Sequence, residues 1–176
     1  SNGDQLINTL INWSPFELIN SPKSPNYLPN VLSPEDVEQL LNFKPKNIQE
    51  TRDMAIVELI YSSGLRVSEA VNVDLNDFEE SGNFLRVLGK GSKTRLVPVG
   101  RFAQSAMDKW IKERKKISTI DEALFVNLRG GRISTRSIQE RIKTLALMQG
   151  LPPVNPHMLR HSFATCLLYT SPSPRD

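Results

Sequence analysis

Two histidines and an arginine lie close together near the C-terminal end of the sequence, at His157, Arg160 and His161. Asn155 and Pro156 precede them and predict the start of a helix, because proline is favoured at the first helical position. Residues three and four apart are neighbours on a helix, so we expect the three side chains on one face. A cationic face of this kind suits a phosphodiester or another oxyanion, and it is equally typical of an ordinary solvated or half-buried helix face.

Two further segments carry charged residues at suggestive spacing. In residues 64–69 (GLRVSE), Arg66 and Glu69 are three apart and could form a simple surface pair. Residues 89–95 (GKGSKTR) separate two β-rich segments and predict a hairpin with a basic turn. A phosphate-binding P-loop is excluded, because the flanking segments run from strand to strand rather than from strand to helix.

The charge of the chain is unevenly distributed. Residues 1–80 contain 5 Lys/Arg and 13 Asp/Glu, a net charge of −8, whereas residues 81–176 contain 17 and 6, a net charge of +11. A basic half on a nearly balanced chain indicates a surface that binds a polyanion, with nucleic acid the first candidate. The basic run over residues 109–116 is by itself better explained as a solvated helix face.

The composition excludes several classes of protein. The chain has 176 residues, 39% of them hydrophobic, which is enough for one globular core. No apolar run approaches the length of a bilayer span, and residues 1–4 (SNGD) lack the pattern of a signal peptide. The single cysteine, Cys166, cannot form an internal disulfide and argues against a zinc site. We therefore expect a cytoplasmic protein with no membrane segment, no metal and no cofactor.

Hydrophobic periodicity and cap signals predict an α+β fold that is mostly α-helical, with one small antiparallel β-hairpin. Residues 4–20 form an amphipathic helix in this prediction, and the prolines and serines of residues 21–30 predict an extended linker. Six further helices are predicted: one that begins at Pro34, one over residues 51–63, a short one that carries Arg66 and Glu69, one over residues 101–116, one from a cap at Ser134 or Thr135 to Gln149, and one that begins at Pro156. The predicted strands are residues 84–88 and 94–99.

Three motifs together resemble one family. GLRVSE, GKGSKTR and residues 157–165 (HMLRHSFAT) occur in the order and approximate spacing of the tyrosine recombinases, specifically their Xer-like and phage-integrase branch. The resemblance implies the end of a SAM-like core-binding domain over residues 1–20, a linker over residues 21–30 and a catalytic domain over residues 31–168. It also implies the tyrosine recombinase (DNA breaking-rejoining) catalytic fold, incomplete at its C-terminus.

The resemblance assigns roles in metal-free cleavage of double-stranded DNA through a 3′-phosphotyrosine. Arg66 and Arg160 would clamp the non-bridging phosphate oxygens, because a guanidinium donates two parallel hydrogen bonds. Lys90 corresponds to the general acid that protonates the leaving 5′-oxygen. His157 corresponds to the proton acceptor or hydrogen-bond donor at the phosphate. Lys93, in the same basic turn, is the alternative to Lys90.

Other residues have supporting roles by the same resemblance. Glu69 would hold the cations of the site in place, and His161 would be a supporting hydrogen-bonding residue. The helix after Ser134 would contact the DNA backbone, although its outer face, with Arg141 and Lys143, is also typical of a basic solvated surface. The candidate DNA-binding residues are Lys93, Arg95, Arg132 and Arg136.

The sequence departs from the family near its C-terminal end. The family's nucleophilic tyrosine lies some tens of residues beyond the Arg160 motif, whereas Tyr169 is too close to it, so we expect Tyr169 not to serve. Cys166 stands where members commonly carry histidine. Residues 169–176 predict a disordered tail, and we expect a truncated reading frame with foreign residues appended.

The sequence therefore predicts a site-specific DNA recombinase whose intact form acts as a tetramer on synapsed double-stranded DNA. We expect the chain as given to bind DNA weakly and to leave it uncut. The alternative is a DNA-binding module that uses the recombinase fold without its chemistry. A phosphate-handling enzyme of another class is disfavoured, because the sequence contains neither a metal-ligand cluster nor a P-loop.

Overall fold

The computed structural model describes residues 31–169 except residues 80 and 82, with side chains described through Phe163. One compact unit spans Leu32–Phe163. The predicted core-binding segment, the linker and residues 170–176 lie outside the described residues. The elements are α1 (Pro34–Leu41), α2 (Ile48–Ser63), α3 (Val67–Val71), β1 (Phe84–Leu88), β2 (Thr94–Pro98), α4 (Arg101–Arg114), α5 (Thr135–Met148) and α6 (Pro156–Tyr169).

Side-chain caps start four helices in the described part of the chain, including α6, where Asn155 Oδ1 accepts from the backbone N–H of Met158 at 2.9 Å. Ser33 Oγ accepts from the backbone N–H of Asp36 at 3.1 Å, and Ser134 Oγ accepts from that of Ser137 at 3.0 Å, as the sequence predicts. The prediction for α2 is late by three residues. Asn47 Oδ1 accepts from the backbone N–H of Glu50 at 2.8 Å, so the helix begins at Ile48 rather than at residue 51.

The core is organised around α2, which is apolar almost all round. Its residues Ala55, Val57, Leu59 and Ile60 are fully buried. It packs against α4, α5 and α1. Trp110 of α4 is also buried, and its Nε1–H donates to the carbonyl oxygen of Leu124 at 2.8 Å. The buried surface of α2 therefore sets the positions of α4 and α5, two helices that carry basic residues.

A two-stranded antiparallel sheet forms the predicted hairpin. Val87 lies opposite Arg95, and Leu88 lies opposite Thr94 at the end next to the turn. Alternate residues of β1, Leu85 and Val87, are buried on one face, and Val97 of β2 joins them. The turn is a 3₁₀ segment, Lys90–Ser92. The predicted fold class, mostly helical with one small hairpin, is confirmed.

A buried charged cluster corrects one prediction. Asp53 is fully buried, and it accepts from Arg52 at 2.8 Å and from Arg141 Nε at 2.6 Å. Arg52 NH1 also donates to the carbonyl oxygen of Val126 at 3.2 Å. The outer-face assignment of Arg141 is therefore wrong, because its guanidinium turns towards α2 and binds the second oxygen of a buried carboxylate whose first oxygen is bound by Arg52.

Candidate functional site

Arg160 is fixed by its contact with the end of α2. Its Nε–H donates to the carbonyl oxygen of Gly64 at 2.7 Å, across 96 residues of sequence. Gly64 ends α2 with a left-handed φ of 67°. A Cβ at this position would lie 2.5 Å from a ring carbon of Phe163, one turn beyond Arg160 in α6. Glycine is thus required both by the backbone and by the close approach of α6.

Arg66 lies two residues after Gly64 and immediately before α3. The prediction that Arg66 lies within this short helix is off by one residue, because α3 begins at Val67 and Arg66 is its N-cap. The backbone N–H of Arg66 donates to Glu69 Oε1 at 2.9 Å. Its side chain is 60% exposed, and NH1 lies 3.8 Å from Glu69 Oε2. The guanidinium of Arg66 is therefore accessible, and the contact between Arg160 and Gly64 brings the two arginine motifs together.

Glu69 has a second partner that the sequence does not indicate. Arg95 of β2 donates from NH1 to Oε2 at 3.0 Å and from NH2 to Oε1 at 3.2 Å. Burial acts to raise the pKa of Glu69, but the hydrogen bonds from Arg95 and from the backbone of Arg66, with the charges of both arginines, hold this pKa below its usual value. The carboxylate is therefore anionic at neutral pH.

The basic turn between β1 and β2 presents two lysines to solvent. Lys90 and Lys93 are both exposed. The backbone N–H of Gly89 donates to the carbonyl oxygen of Lys93 at 2.8 Å and closes the turn. Gly91 (φ 72°) and Ser92 (φ 60°) both adopt left-handed backbone. The assignment of Lys90 rather than Lys93 as the general acid stays a prediction.

The two histidines lie side by side at the start of α6. Their ring centroids are 6.5 Å apart, and both side chains are exposed. The partial burial of His161 and the positive charge of His157 lower the pKa of His161. Arg160, half-buried, turns from this exposed pair towards Gly64. This face of α6 thus presents two exposed imidazoles beside a half-buried guanidinium that is bound to the carbonyl oxygen of Gly64.

Two of the candidate DNA-binding arginines already bind protein groups. Arg95 pairs with Glu69, and Arg132 donates to the carbonyl oxygen of Val71 at 2.8 Å and pairs with Asp74. Arg136 of α5 is exposed. DNA contact by these residues, and by Lys93, stays a prediction. The internal contacts of Arg95 and Arg132 were missed because neither Glu69 nor the end of α3 is near them in sequence.

The predictions about the nucleophile and about metal binding can be compared only with the described residues. Tyr169 is the last residue of α6, and its side chain lies outside the described part of the chain, as does that of Cys166. Within the described ranges, His, Cys, Asp and Glu side chains do not gather in groups of three that could hold a metal ion. No helix there is long and apolar enough to cross a membrane.

Comparison with known proteins decides the family. Residues 30–175 match the phage integrase family. The chain belongs to that family. A tyrosine recombinase XerC from Histophilus somni is 47% identical over 154 residues, covering 87% of this chain and 52% of the relative. A tyrosine recombinase XerC from Shewanella amazonensis is 45% identical over 163 residues, covering 92% and 55%. The resemblance to tyrosine recombinases is confirmed, and the chain spans about half the length of the curated relatives it matches.

Solved structures of the same family have the same fold. The crystal structure of XerA recombinase matches with a TM-score of 0.71 at 28% identity, covering 85% of this chain and 55% of that one. XerH site-specific recombinase bound to difH substrate, a pre-cleavage complex, matches with a TM-score of 0.68 at 27% identity, covering 80% and 43%. The predicted tyrosine recombinase catalytic fold is therefore confirmed.

Proposed function

We propose that this chain forms the phosphate-holding part of a site-specific DNA recombinase that breaks and rejoins strands through a tyrosine. The observation that carries the proposal is the 2.7 Å hydrogen bond from Arg160 Nε to the carbonyl oxygen of Gly64. It holds the motif of Arg160 beside that of Arg66, which supports a shared role for two permanently charged guanidiniums. Membership of the phage integrase family supports the same function.

The proposed reaction places each charge where the transition state needs one. As the tyrosine oxygen bonds to phosphorus and the 5′-oxygen departs, negative charge on the non-bridging oxygens is met by Arg66 and Arg160. Lys90 gives its proton to the departing 5′-oxygen, and His157, beside the phosphate, accepts the proton that the tyrosine hydroxyl loses as it attacks. Arg160 uses Nε for its contact with Gly64, which leaves its two terminal nitrogens for a phosphate.

Double-stranded DNA is the proposed partner, and a tetramer on synapsed DNA is the proposed assembly of the whole protein. The basic second half of the chain supports DNA as the partner. A XerH recombinase of similar fold is bound to its difH substrate. We place this chemistry in the cytoplasm, where DNA is available and the single cysteine stays reduced.

Substitution of the two arginines tests the proposal in the full-length protein. We expect Arg66→Ala and Arg160→Ala each to slow covalent attachment to a nicked suicide substrate by about 100-fold or more, with DNA affinity changed far less. Arg101→Ala, at an exposed arginine of α4, is the control and should react at the wild-type rate. Unchanged cleavage in both arginine variants would contradict the catalytic assignment.

The same substrate tests the alternative of a DNA-binding module without chemistry. Such a module would bind DNA in a salt-sensitive manner, form no adduct, and keep its affinity in Arg160→Ala. We also propose that Tyr169 is not the nucleophile, because it lies in the helix of Arg160 itself. An adduct formed by this chain and lost in Tyr169→Phe would overturn that part of the proposal.

A further inference from the structure

Arg95 joins the two elements that carry Arg66 and Lys90. Its two terminal nitrogens bind both oxygens of Glu69, at 3.0 and 3.2 Å. Glu69 belongs to α3, which begins directly after Arg66, whereas Arg95 lies on the strand that follows the Lys90 turn. A bidentate pair of this kind fixes direction as well as distance, because the guanidinium and the carboxylate are both planar.

The environment of Glu69 makes this pair stronger than an ordinary surface pair. The Glu69 side chain is only 6% exposed, although that of Arg95 is 43% exposed. Glu69 Oε1 also accepts from the backbone N–H of Arg66 at 2.9 Å. Arg86, on the same hairpin, offers a contrast, since it meets Asp77 at a single 3.4 Å contact with 47% and 27% of the two side chains exposed.

The pair also touches the base of the Lys90 turn. A Cβ on Gly89 would lie 3.0 Å from Arg95 NH1 and 3.7 Å from Glu69 Oε2, so the bare backbone of this residue packs beside the ion pair. The same residue closes the turn through its bond to Lys93, and Lys90 is the next residue along the chain. Movement of Arg95 would therefore change the position of Gly89 and, with it, that of Lys90.

We propose that Arg95 is a positioning residue, which through Glu69 holds the turn bearing Lys90 against the helix start bearing Arg66. This inference rests on the proposed function, in which Lys90 protonates the leaving 5′-oxygen. It differs from the sequence prediction for Arg95, because a guanidinium spent on both oxygens of a buried carboxylate serves the protein rather than a DNA phosphate. Removing Arg95 should impair proton delivery far more than phosphate binding.

The test compares two leaving groups in single-turnover cleavage by the full-length protein. One nicked DNA has the ordinary 5′-oxygen at the scissile phosphate, and the other has sulfur in that bridging position. A thiolate leaves without protonation because its conjugate acid is far stronger than an alcohol, so the sulfur substrate does not need the general acid. Lys90→Ala provides the reference, slow with oxygen and near the wild-type rate with sulfur.

We expect Arg95→Ala to cleave the oxygen substrate about 10- to 100-fold more slowly than wild type, and the sulfur substrate within about threefold. Arg95→Lys should stay impaired with oxygen, because an ammonium keeps the charge but not the bidentate geometry. Arg86→Ala is the matched control, since it removes the other ion pair of the hairpin without touching Glu69. We expect its rates on both substrates within about twofold of wild type.

Equal slowing of Arg95→Ala on both substrates, or full recovery in Arg95→Lys, would overturn the inference and favour direct phosphate contact. Wild-type protein that cleaves neither substrate would instead refute the proposed function. In that case amide hydrogen exchange on this chain still tests whether the Arg95–Glu69 pair acts as a tether, that is, whether it holds the turn in place. The amide of Gly89 should exchange faster in Arg95→Ala and Glu69→Gln but not in Arg86→Ala, and unchanged exchange in all three would refute the tether itself.

Discussion

Gly64 serves three purposes in the structure. It ends α2 at positive φ, leaves room for the ring of Phe163, and offers its carbonyl oxygen to Arg160. The first purpose could be read from the sequence, since glycine after an apolar helix predicts a left-handed end. The other two depend on α6, whose Arg160 lies 96 residues after Gly64 in sequence. A single residue thus connects the helix end to the proposed phosphate site.

We expect Gly64→Ala to lower the free energy of unfolding by about 2–4 kcal/mol, from the left-handed backbone together with overpacking against Phe163. Urea denaturation measures the loss. Gly150→Ala is the control, because Gly150 also has positive φ (76°) but an added Cβ would meet nothing within 4 Å. If the two substitutions cost the same, the close approach of Phe163 has no energetic weight.

The lowered pKa of Glu69 makes a prediction about acid stability. Burial opposes the shift, but the bonds and charges of Arg95 and Arg66 outweigh it, so the unfolded state binds this proton more readily. The ionised Glu69 carboxylate therefore stabilises the folded state. This stabilisation is complete above the ordinary glutamate pKa of about 4.3, and it is lost as the pH falls through the lowered pKa. We expect Glu69→Gln and Arg95→Ala to flatten the acid limb of stability against pH in chemical denaturation. A limb as steep as that of wild type in both variants would contradict the pairing.

At the scale of elements, local signals predict the caps and the hairpin, because both depend on residues adjacent in sequence. Ser33, Ser134 and the turn at residues 89–93 were found in this way. The ion pairs and hydrogen bonds that join one element to another cannot be predicted in this way, since their members are distant in sequence. Arg141 has the helical position of a solvated residue, and only the buried carboxylate of Asp53 turns it inward.

The charged cluster between α2 and α5 should be costly to break, because the Asp53 and Arg52 side chains are buried. Asp53→Asn would leave the Arg52 guanidinium, 3% exposed, without its counter-charge. We expect a loss of about 3–5 kcal/mol in the free energy of unfolding, measured by thermal or urea denaturation. Arg141→Ala should cost less, because Asp53 keeps Arg52 as a partner.

Lys143→Ala is the matched control for this cluster, since Lys143 is exposed on the same helix as Arg141. We expect its effect to stay within about 0.5 kcal/mol. A loss as small for Asp53→Asn would mean that the cluster does not hold α5 to α2.

At the scale of the whole molecule, the charge asymmetry read from the sequence remains the broadest argument for a DNA partner. The acidic residues of the first half include several that form ion pairs with arginines of this chain, such as Asp53, Glu69 and Asp74. The net charge of the second half therefore overstates the number of cations available to DNA. Arg95, Arg132 and Arg141 are among the arginines so neutralised, and sequence counting could not separate them from Arg136.

The salt dependence of DNA binding can distinguish cations that contact DNA phosphates from cations that do not. Each phosphate contact releases condensed counterions, so log Kobs against log salt has a slope of about −0.9 per contact on duplex DNA. Because Arg136 is exposed on α5, we expect Arg136→Ala to make the slope less negative by about one and to weaken binding on all sequences alike. Lys112→Ala, at an exposed lysine of α4, should leave the slope unchanged, because that face is expected to be solvated. Equal slope changes in the two variants would show that α5 is not the DNA-facing helix, and that this chain binds DNA by its overall charge.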